Sequence, residues 1–381
     1  MADFKIIQDP VHGPIRIDGV VEKLIDSVEF QRLRFIRQLG LSFLVFPGAN
    51  HTRFEHSLGT MYISDQFSEK IGLDDADTLR ISALLHDIGH LPFSHSFEDF
   101  FLTKTKMEHQ EAGRRIILGE KPFEESSIPG ILEKFSMSPR EISDMVAGRQ
   151  KTASSSIVSG PVDADELDYL LRDSTFCGIA LGLVDYKRII NTLIYKDNKL
   201  IIEEKGIPNL ESLLIGRILM YRSVYWHKTC RIAQGMMGIA LRMKRSEIKE
   251  PFSKTDYEFL TELLVDHGSS EMTRRILRRD LFKVIYSSEY DSEKYKRIRN
   301  MMEENFQSDL FLIDVIPPLE FDGAERLKTN MTVLVNGKNM KVSSASPLVN
   351  SLSKIVRERK ILVSCDREIA EKSLSLLRSV D

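Results

Sequence analysis

Leu84-Leu85-His86-Asp87-Ile88-Gly89-His90-Leu91-Pro92-Phe93-Ser94-His95 decides how the rest of the chain is read. An apolar run (Ile81, Ala83, Leu84, Leu85) ends on an adjacent imidazole and carboxylate, which together offer nitrogen and oxygen ligands to one divalent cation. His86 and His90 are four apart, so a helix would put them on one face. Histidine is scarce, nine in 381 residues, yet His51, His56, His86, His90 and His95 share one window, with His109 just beyond. A lone histidine at the end of an apolar run is most simply a hydrogen-bonded core residue. Five in one window, some beside acids or one helical turn apart, favour a site.

Composition sets the frame. A hydrophobic content of 42% is ample for a buried core. The formal net charge of −3 points neither to a nucleic-acid binder nor to an acidic tail. Cys177, Cys230 and Cys365 are odd in number, far apart and without CxxC spacing, which fits a reducing compartment better than a disulfide framework. No basic segment followed by an apolar one opens the chain, and no apolar run is long enough to span a membrane. The expectation is a cytoplasmic protein with no membrane partner.

Outward from the histidine window, residues 3–17 alternate loosely around Asp9-Pro10-Val11-His12-Gly13-Pro14 and predict a short β-hairpin. Residues 20–39 have helical spacing, and helices follow at 54–71, 75–88, 93–103, 108–118, 129–136 and 139–148. After a Ser- and Gly-rich stretch at 152–161 comes an acidic cluster, Asp163-Ala164-Asp165-Glu166-Leu167-Asp168-Tyr169, with Leu167, Leu170 and Leu171 as an apolar stripe. A hairpin at 194–204 precedes a long amphipathic helix at 209–243 and helices at 255–284 and 290–305. Near residue 308 the texture turns to strands, with a tight turn at Asn336-Gly337, a helix at 347–357, a strand at 360–364 and a last helix at 367–379. The fold class expected is mainly α, with a short N-terminal β-hairpin. A helical body spans 1–307 (its core about 50–175), and a small α/β C-terminal lobe spans 308–381.

If His56, His86, Asp87 and a later aspartate hold one cation, the nitrogen and oxygen ligands suit Mn, Fe, Zn or, less well, Mg. Such an ion activates water and neutralises charge on a phosphoryl group, so the chemistry is hydrolysis of a phosphate ester or anhydride. His90, His95 and His109 are then available for proton transfer, with Glu98 three residues beyond His95 to orient it.

His56, His86-Asp87 and Asp165 resemble the H…HD…D signature of the HD-domain phosphohydrolases. Further stretches are similar to the SAM-and-HD-domain deoxynucleoside triphosphate triphosphohydrolases: Asp9–Gly13, Phe30–Gly40, Val45–Ala49, His51–Gly59, His86–His95 and Leu167–Asp173. The resemblance begins at Phe4, with no SAM domain ahead of it, runs strongly to Lys228 and weakens in the C-terminal lobe. It implies an HD-domain body and hydrolysis of a dNTP to deoxynucleoside and triphosphate. The implied metal ligands are His56, His86, Asp87 and Asp165, with one divalent ion per site. His95 is the implied acid, positioned by Glu98 and His109, with His90 alongside. Substrate contacts carry over to Gln38, Leu39, Arg53, Tyr169, Asp173, Arg217 and Tyr225.

The same relatives bind an activating nucleotide, GTP or a dNTP with Mg, at subunit interfaces, which implies a homo-oligomer, dimer or tetramer. Lys5, Asp26, Gln31 and Arg34 match the guanine pocket, and Phe46, Asp185, Arg188, Lys205, Asn209, His227 and Lys228 match the adjoining nucleotide site. Glu166 departs from the pattern, which has a triphosphate-contacting lysine there. That leaves room for hydrolysis of other nucleotides (mono-, di- or cyclic phosphates), or for a nucleotide- or nucleic-acid-binding regulator of little activity. A basic stripe, Arg274, Arg275, Arg278, Arg279 and Lys283, reads more readily as a solvated or salt-bridged face than as a nucleic-acid site. The aromatics Tyr221, Tyr225 and Trp226 likewise read as core.

Overall fold

Thr52 and Glu55 start the helix that carries the site. The Thr52 backbone N–H donates to Glu55 Oε2 at 2.7 Å and its hydroxyl pairs with the same oxygen, satisfying donors that a helix start leaves orphaned. The helix runs Arg53–Ile71 and ends at Gly72, which adopts the left-handed conformation (φ 66°) that lets the chain turn away. The structure, a computed structural model, describes residues 4–93, 100–102, 106–160, 162–196, 199–317, 331–355 and 359–380.

Two compact units make up the chain, and neither is continuous in sequence. The first comprises Met1–Met220, Lys249–Tyr257 and Lys328–Asn350. It opens with the antiparallel hairpin β1 (Lys5–Asp9) and β2 (Gly13–Ile17), Lys5 opposite Ile17. Helices Arg53–Ile71 and Ala76–Leu85 pack on each other, and Phe30, Phe54, Leu58, Leu84, Leu85 and Ile88 are fully buried in one core with Ile15 of the hairpin. A four-stranded sheet has the order β3 (Leu193–Lys196), β4 (Lys199–Glu203), β7 (Thr332–Val335), β8 (Lys338–Lys341), with β4 and β7 parallel.

The second unit comprises Tyr221–Ile248, Glu258–Leu327 and Ser351–Asp381. Its antiparallel sheet places β9 (Lys360–Cys365) between β5 (Lys283–Glu289) and β6 (Phe311–Ile316). Ile298, Met302, Phe311, Ile361, Val363 and Leu377 form its core. The class is mainly α, as the periodicity predicts. No helix among the described residues is long and apolar enough to cross a membrane, and all three cysteines are free thiols.

Three long helices predicted from periodicity are interrupted. Residues 20–39 form helices Gly19–Ile25 and Val28–Gln31 and a 3-10 turn, Arg32–Phe35. There Ser27 caps Phe30 N, and the Arg32 guanidinium is drawn in to the carbonyls of Ile88 and His90, both at 2.9 Å. Those bonds to buried carbonyls outweigh helical continuity. The stretch 209–243 becomes Ile207–Met220, a π-helical turn at Tyr221–Tyr225, and Lys228–Met243 capped by His227. Residues 255–284 become Asp256–Val265, Ser270–Leu277 and the start of β5. The Asp266 carboxylate accepts backbone N–H groups of Arg245, Ser246, Gly268 and Ser269 and turns the chain. The predicted helix at 93–103 falls largely outside the described residues.

Candidate metal centre

Three elements of the first unit bring the site together. His56 sits in the first turn of Arg53–Ile71, His86 caps the end of Ala76–Leu85, and Asp165 lies in the first turn of helix Ala164–Cys177, whose N-cap Asp163 accepts Glu166 N at 2.8 Å. His56 Nε2 is 3.0 Å from Asp165 Oδ1, and His86 Nε2 is 3.8 Å from the same oxygen. The two rings meet edge to face, centroids 5.1 Å apart. Among the described residues, His56, His86 and Asp165 form the one such group of potential ligands.

Those residues fit a divalent cation. Neither His56 Nε2 nor His86 Nε2 has a hydrogen-bond partner in the protein, although both are buried. The 3.0 Å approach of Asp165 lies off the direction a hydrogen bond needs, so both atoms face a common point instead. Ligands about 2.1 Å from one ion stand about 3 Å apart at right angles and further apart at wider angles, so the 3.0 Å of His56 and the 3.8 Å of His86 from Asp165 both lie within reach of one ion. Each ring has its other nitrogen engaged: His56 Nδ1 lies 2.7 Å from Asp168 Oδ2, and His86 Nδ1 donates to Ala83 O at 2.8 Å. That arrangement keeps both Nε2 lone pairs for a metal. Burial pushes His56 toward neutrality, but Asp165, Asp168 and Asp87 together raise its pKa to about 10. The field at this point favours a positive charge.

Asp87 lies against the same two imidazoles, at distances like those of Asp165. Its Oδ1 is 3.3 Å from His86 Nε2 and 3.1 Å from His90 Nε2, and its Oδ2 is 3.7 Å from His56 Nε2 and accepts Arg53 Nη1 at 2.5 Å. Burial works against its charge, yet Arg53, His86 and His90 hold its carboxyl well below the usual range. His90 is pushed well down by burial, Arg53 and His109, and stays neutral. His90 and His109 stack at 4.0 Å. Gly89 permits this, because a Cβ there would overlap His109 O and Gly113 N. His95 and Glu98 lie outside the described residues. Asp165 is 37% exposed whereas His56 is 1% exposed, so the cluster opens to solvent on the Asp165 side.

The residues expected at substrate are dispersed more widely. Gln38 has a buried Oε1 with no hydrogen-bond partner, and Leu39 caps the 3-10 turn Gly40–Leu44. Arg53 is committed to Asp87. Tyr169 is half-buried, one turn beyond Asp165. Asp173 Oδ1 is 2.8 Å from His51 Nε2. Arg217 donates to Glu166 Oε1 at 2.7 Å, a buried ion pair. Tyr225 belongs to the second unit, in the π-helical turn, against Tyr221.

Of the residues expected at an activating nucleotide, Gln31 and Arg34 are bonded to each other at 2.9 Å, and Arg34 lies 3.5 Å over the Phe54 ring. Asp26 ends the neighbouring helix, and Lys5 is 2.8 Å from Glu22. Phe46 and Asn209 are half-buried, Asp185 caps Arg188 N, and Lys205 pairs with Glu203. His227 and Lys228 are in the second unit.

Sequence reasoning quoted Asp9, His12, Asp168 and Arg172 inside motifs without giving them a role. Arg172 donates to both oxygens of Asp168 and to Asp9, and His12 reaches Asp168 as well. No sequence motif marks Asp256. Its oxygens accept Phe93 N at 2.8 Å and Arg37 N at 3.0 Å, pinning the end of the HD loop where Phe93 holds a positive φ of 53°. The signal the sequence does offer is the i, i+4 spacing of Asp168 and Arg172 on one helix.

Comparison with known proteins agrees with this geometry. The HD domain family model matches residues 53–170, and the HD associated region matches 184–373. The protein MJ1154 of Methanocaldococcus jannaschii is 36% identical over 374 residues, covering 92% of this chain and 76% of its own. Human deoxynucleoside triphosphate triphosphohydrolase SAMHD1 is 28% identical over 349 residues, 81% of this chain, which spans about half (54%) of that protein. A phosphohydrolase crystal structure from Bacteroides thetaiotaomicron superposes with a TM-score of 0.79 at 27% identity, covering 96% of this chain and all of that one. A histidine-aspartate cluster built for a cation, on this fold and with these relatives, places the chain in the HD-domain family of metal-dependent phosphohydrolases.

Proposed function

We propose that this protein hydrolyses a deoxynucleoside triphosphate to the deoxynucleoside and triphosphate, at the centre formed by His56, His86, Asp165 and the adjoining Asp87. The observation that carries the reading is the convergence of two unpaired imidazole nitrogens and one carboxylate oxygen on one point. A divalent ion (Mn, Fe, Zn or Mg) bound there supplies a nucleophile at neutral pH and offsets phosphoryl charge. Arg53 donates to Asp87 and fixes its carboxylate beside the histidines. Neutral His90, stacked on His109, can relay a proton by taking one on one ring nitrogen and releasing one from the other, while the resemblance gives the acid's role to His95 with Glu98. The unpartnered Gln38 Oε1 suits a sugar hydroxyl as donor, with Leu39 and Tyr169 flanking the sugar and Asp173 and Arg217 completing the contacts within this unit.

A nucleotide activator has support in the second unit. A cavity of about 320 Å³ is edged by the cations of Lys228, Arg279 and Lys283, with Phe282 beside them, a composition suited to a base and its phosphates. We take GTP or a dNTP, with Mg, as the activator and a homo-oligomer as the working form. The buried Glu166–Arg217 pair favours a second reading, a substrate of lower charge such as a nucleoside mono-, di- or cyclic phosphate, because it occupies a cation otherwise available to a triphosphate.

The deciding experiment incubates Mn-loaded protein with each dNTP, with and without GTP, and separates products by chromatography. Deoxynucleoside plus triphosphate, raised by GTP and lost in His86→Ala with Asp87→Ala, is the expected result. Turnover of other nucleotides but no dNTP would establish the second reading. Metal bound with no turnover of any nucleotide would overturn both.

A further inference from the structure

We propose that Asp168, itself held by Arg172 and His12, is the positioning residue that fixes His56 for its cation, so that the turn of the N-terminal hairpin is part of the metal centre. The inference rests on reading His56 as a metal ligand. The Asp168 carboxylate accepts four bonds, two on each oxygen. His56 Nδ1 (2.7 Å) and Arg172 Nε (2.8 Å) reach Oδ2, while His12 Nε2 (2.6 Å) and Arg172 Nη2 (3.0 Å) reach Oδ1. Four is the full acceptor capacity of a carboxylate. An ionised carboxylate cannot donate, so both facing imidazole nitrogens carry protons, and Nε2 is the His56 nitrogen left for a cation, which would displace the second proton of the ring. Without that constraint a neutral imidazole would divide between two tautomers, and only one binds the ion through Nε2.

The hairpin enters through two residues. His12 Nδ1, the acceptor once Nε2 carries the proton, lies 3.4 Å from the Tyr186 hydroxyl, and its ring rests 5.0 Å from Tyr62. Arg172 Nη1 donates to Asp9 Oδ2 at 2.8 Å, and Asp9 Oδ1 accepts the N–H groups of Val11 and His12. The side chains of His12, Asp168 and Arg172 are wholly buried. Gly59, three residues beyond His56 on the same helix, gives them room, because a Cβ there would overlap Asp168 Oδ1 and Arg172 Nη2. One contiguous network thus ties residues 163 apart in sequence to the back of a single ligand.

The test measures Zn²⁺ affinity by competition with a chromophoric chelator, alongside ¹⁵N NMR of the histidine side chains. Asp168→Asn is expected to bind zinc roughly 10- to 100-fold more weakly and to lose the single Nδ1–H tautomer of His56. His12→Leu, which removes a donor, should weaken binding by about tenfold, and His12→Gln, which restores an N–H, should bring it back to within about threefold of wild type. A purely structural role would lower the thermal midpoint without this rescue and without the tautomer change. If Asp168→Asn does not fold, the His12 pair decides. Folded Asp168→Asn with wild-type zinc affinity, or equal affinity in His12→Leu and His12→Gln, overturns the inference alone. Wild-type protein that binds no zinc and no manganese overturns the metal reading and this inference with it.

Discussion

Asp168 and Asp256 are both fully buried carboxylates of the first unit, and their surroundings treat them in opposite ways. Asp168 meets a guanidinium and two imidazoles. Burial opposes its charge, but Arg172, His12 and His56 hold its carboxyl well below the usual range. Asp256 meets two backbone N–H groups, with the Arg37 guanidinium only at 3.7 Å, and burial pushes its pKa up to about 6. Neutral donors satisfy a carboxylate's lone pairs without compensating for the water it has lost, and charged donors do both. The lesson concerns roles: a carboxylate that must stay ionised behind a metal ligand needs a cation, whereas one that only pins a loop does not.

The largest expected effect comes from breaking the Asp168 side. Arg172→Met leaves Asp168 and Asp9 buried without their cation and should cost about 3–5 kcal/mol of stability, read by urea denaturation. An unchanged midpoint would mean that Asp168 is neutral in the folded protein. Gly59→Ala attacks the same pair through space and should destabilise comparably, because the backbone of a packed helix cannot move aside for the new methyl group. Near-normal stability there, with zinc binding intact, would show that the pair has slack.

Asp256 carries a pH signature of the opposite sign. Its folded pKa of about 6 exceeds the ordinary value of 3.8, so the folded state holds the proton more tightly. Its contribution is therefore complete below about pH 4 and is lost as pH rises through about 6, by about 3 kcal/mol at most. Urea midpoints of wild type and Asp256→Asn, compared at pH 5 and pH 7.5, should converge or cross as pH rises, and a constant gap would place Asp256 with Asp168. The smallest effect belongs to Arg37→Met. Removing a guanidinium 3.7 Å away should raise the Asp256 titration slightly and cost under about 1 kcal/mol.

The local grammar of the chain was readable where a feature depends on neighbours. The Thr52–Glu55 start and Gly72 end of the site helix, the β1–β2 hairpin and the Asn336-Gly337 turn between β7 and β8 all rest on residues within a few positions of each other. The histidine window and the acidic cluster were equally visible, as was the adjacency of His86 and Asp87. Where periodicity misled, at 20–39 and 255–284, the cause was a buried side chain seeking a distant or looping backbone: Arg32 bonding to Ile88 and His90, Asp266 folding four N–H groups around itself.

By itself the sequence determined a mainly helical protein with a histidine-aspartate centre, because helix periodicity and ligand chemistry are properties of residue type and short spacing. Only the tertiary structure decided that Arg53 holds Asp87, that Arg217 pairs with Glu166, and that each compact unit is assembled from three separate segments. Only it joined Asp9 and His12 to Asp168. The physical reason is that the ionisation of a buried group and the direction of its hydrogen bonds are set by whatever folds against it, and those partners lie 51 residues apart for Glu166 and Arg217 and 156 for His12 and Asp168.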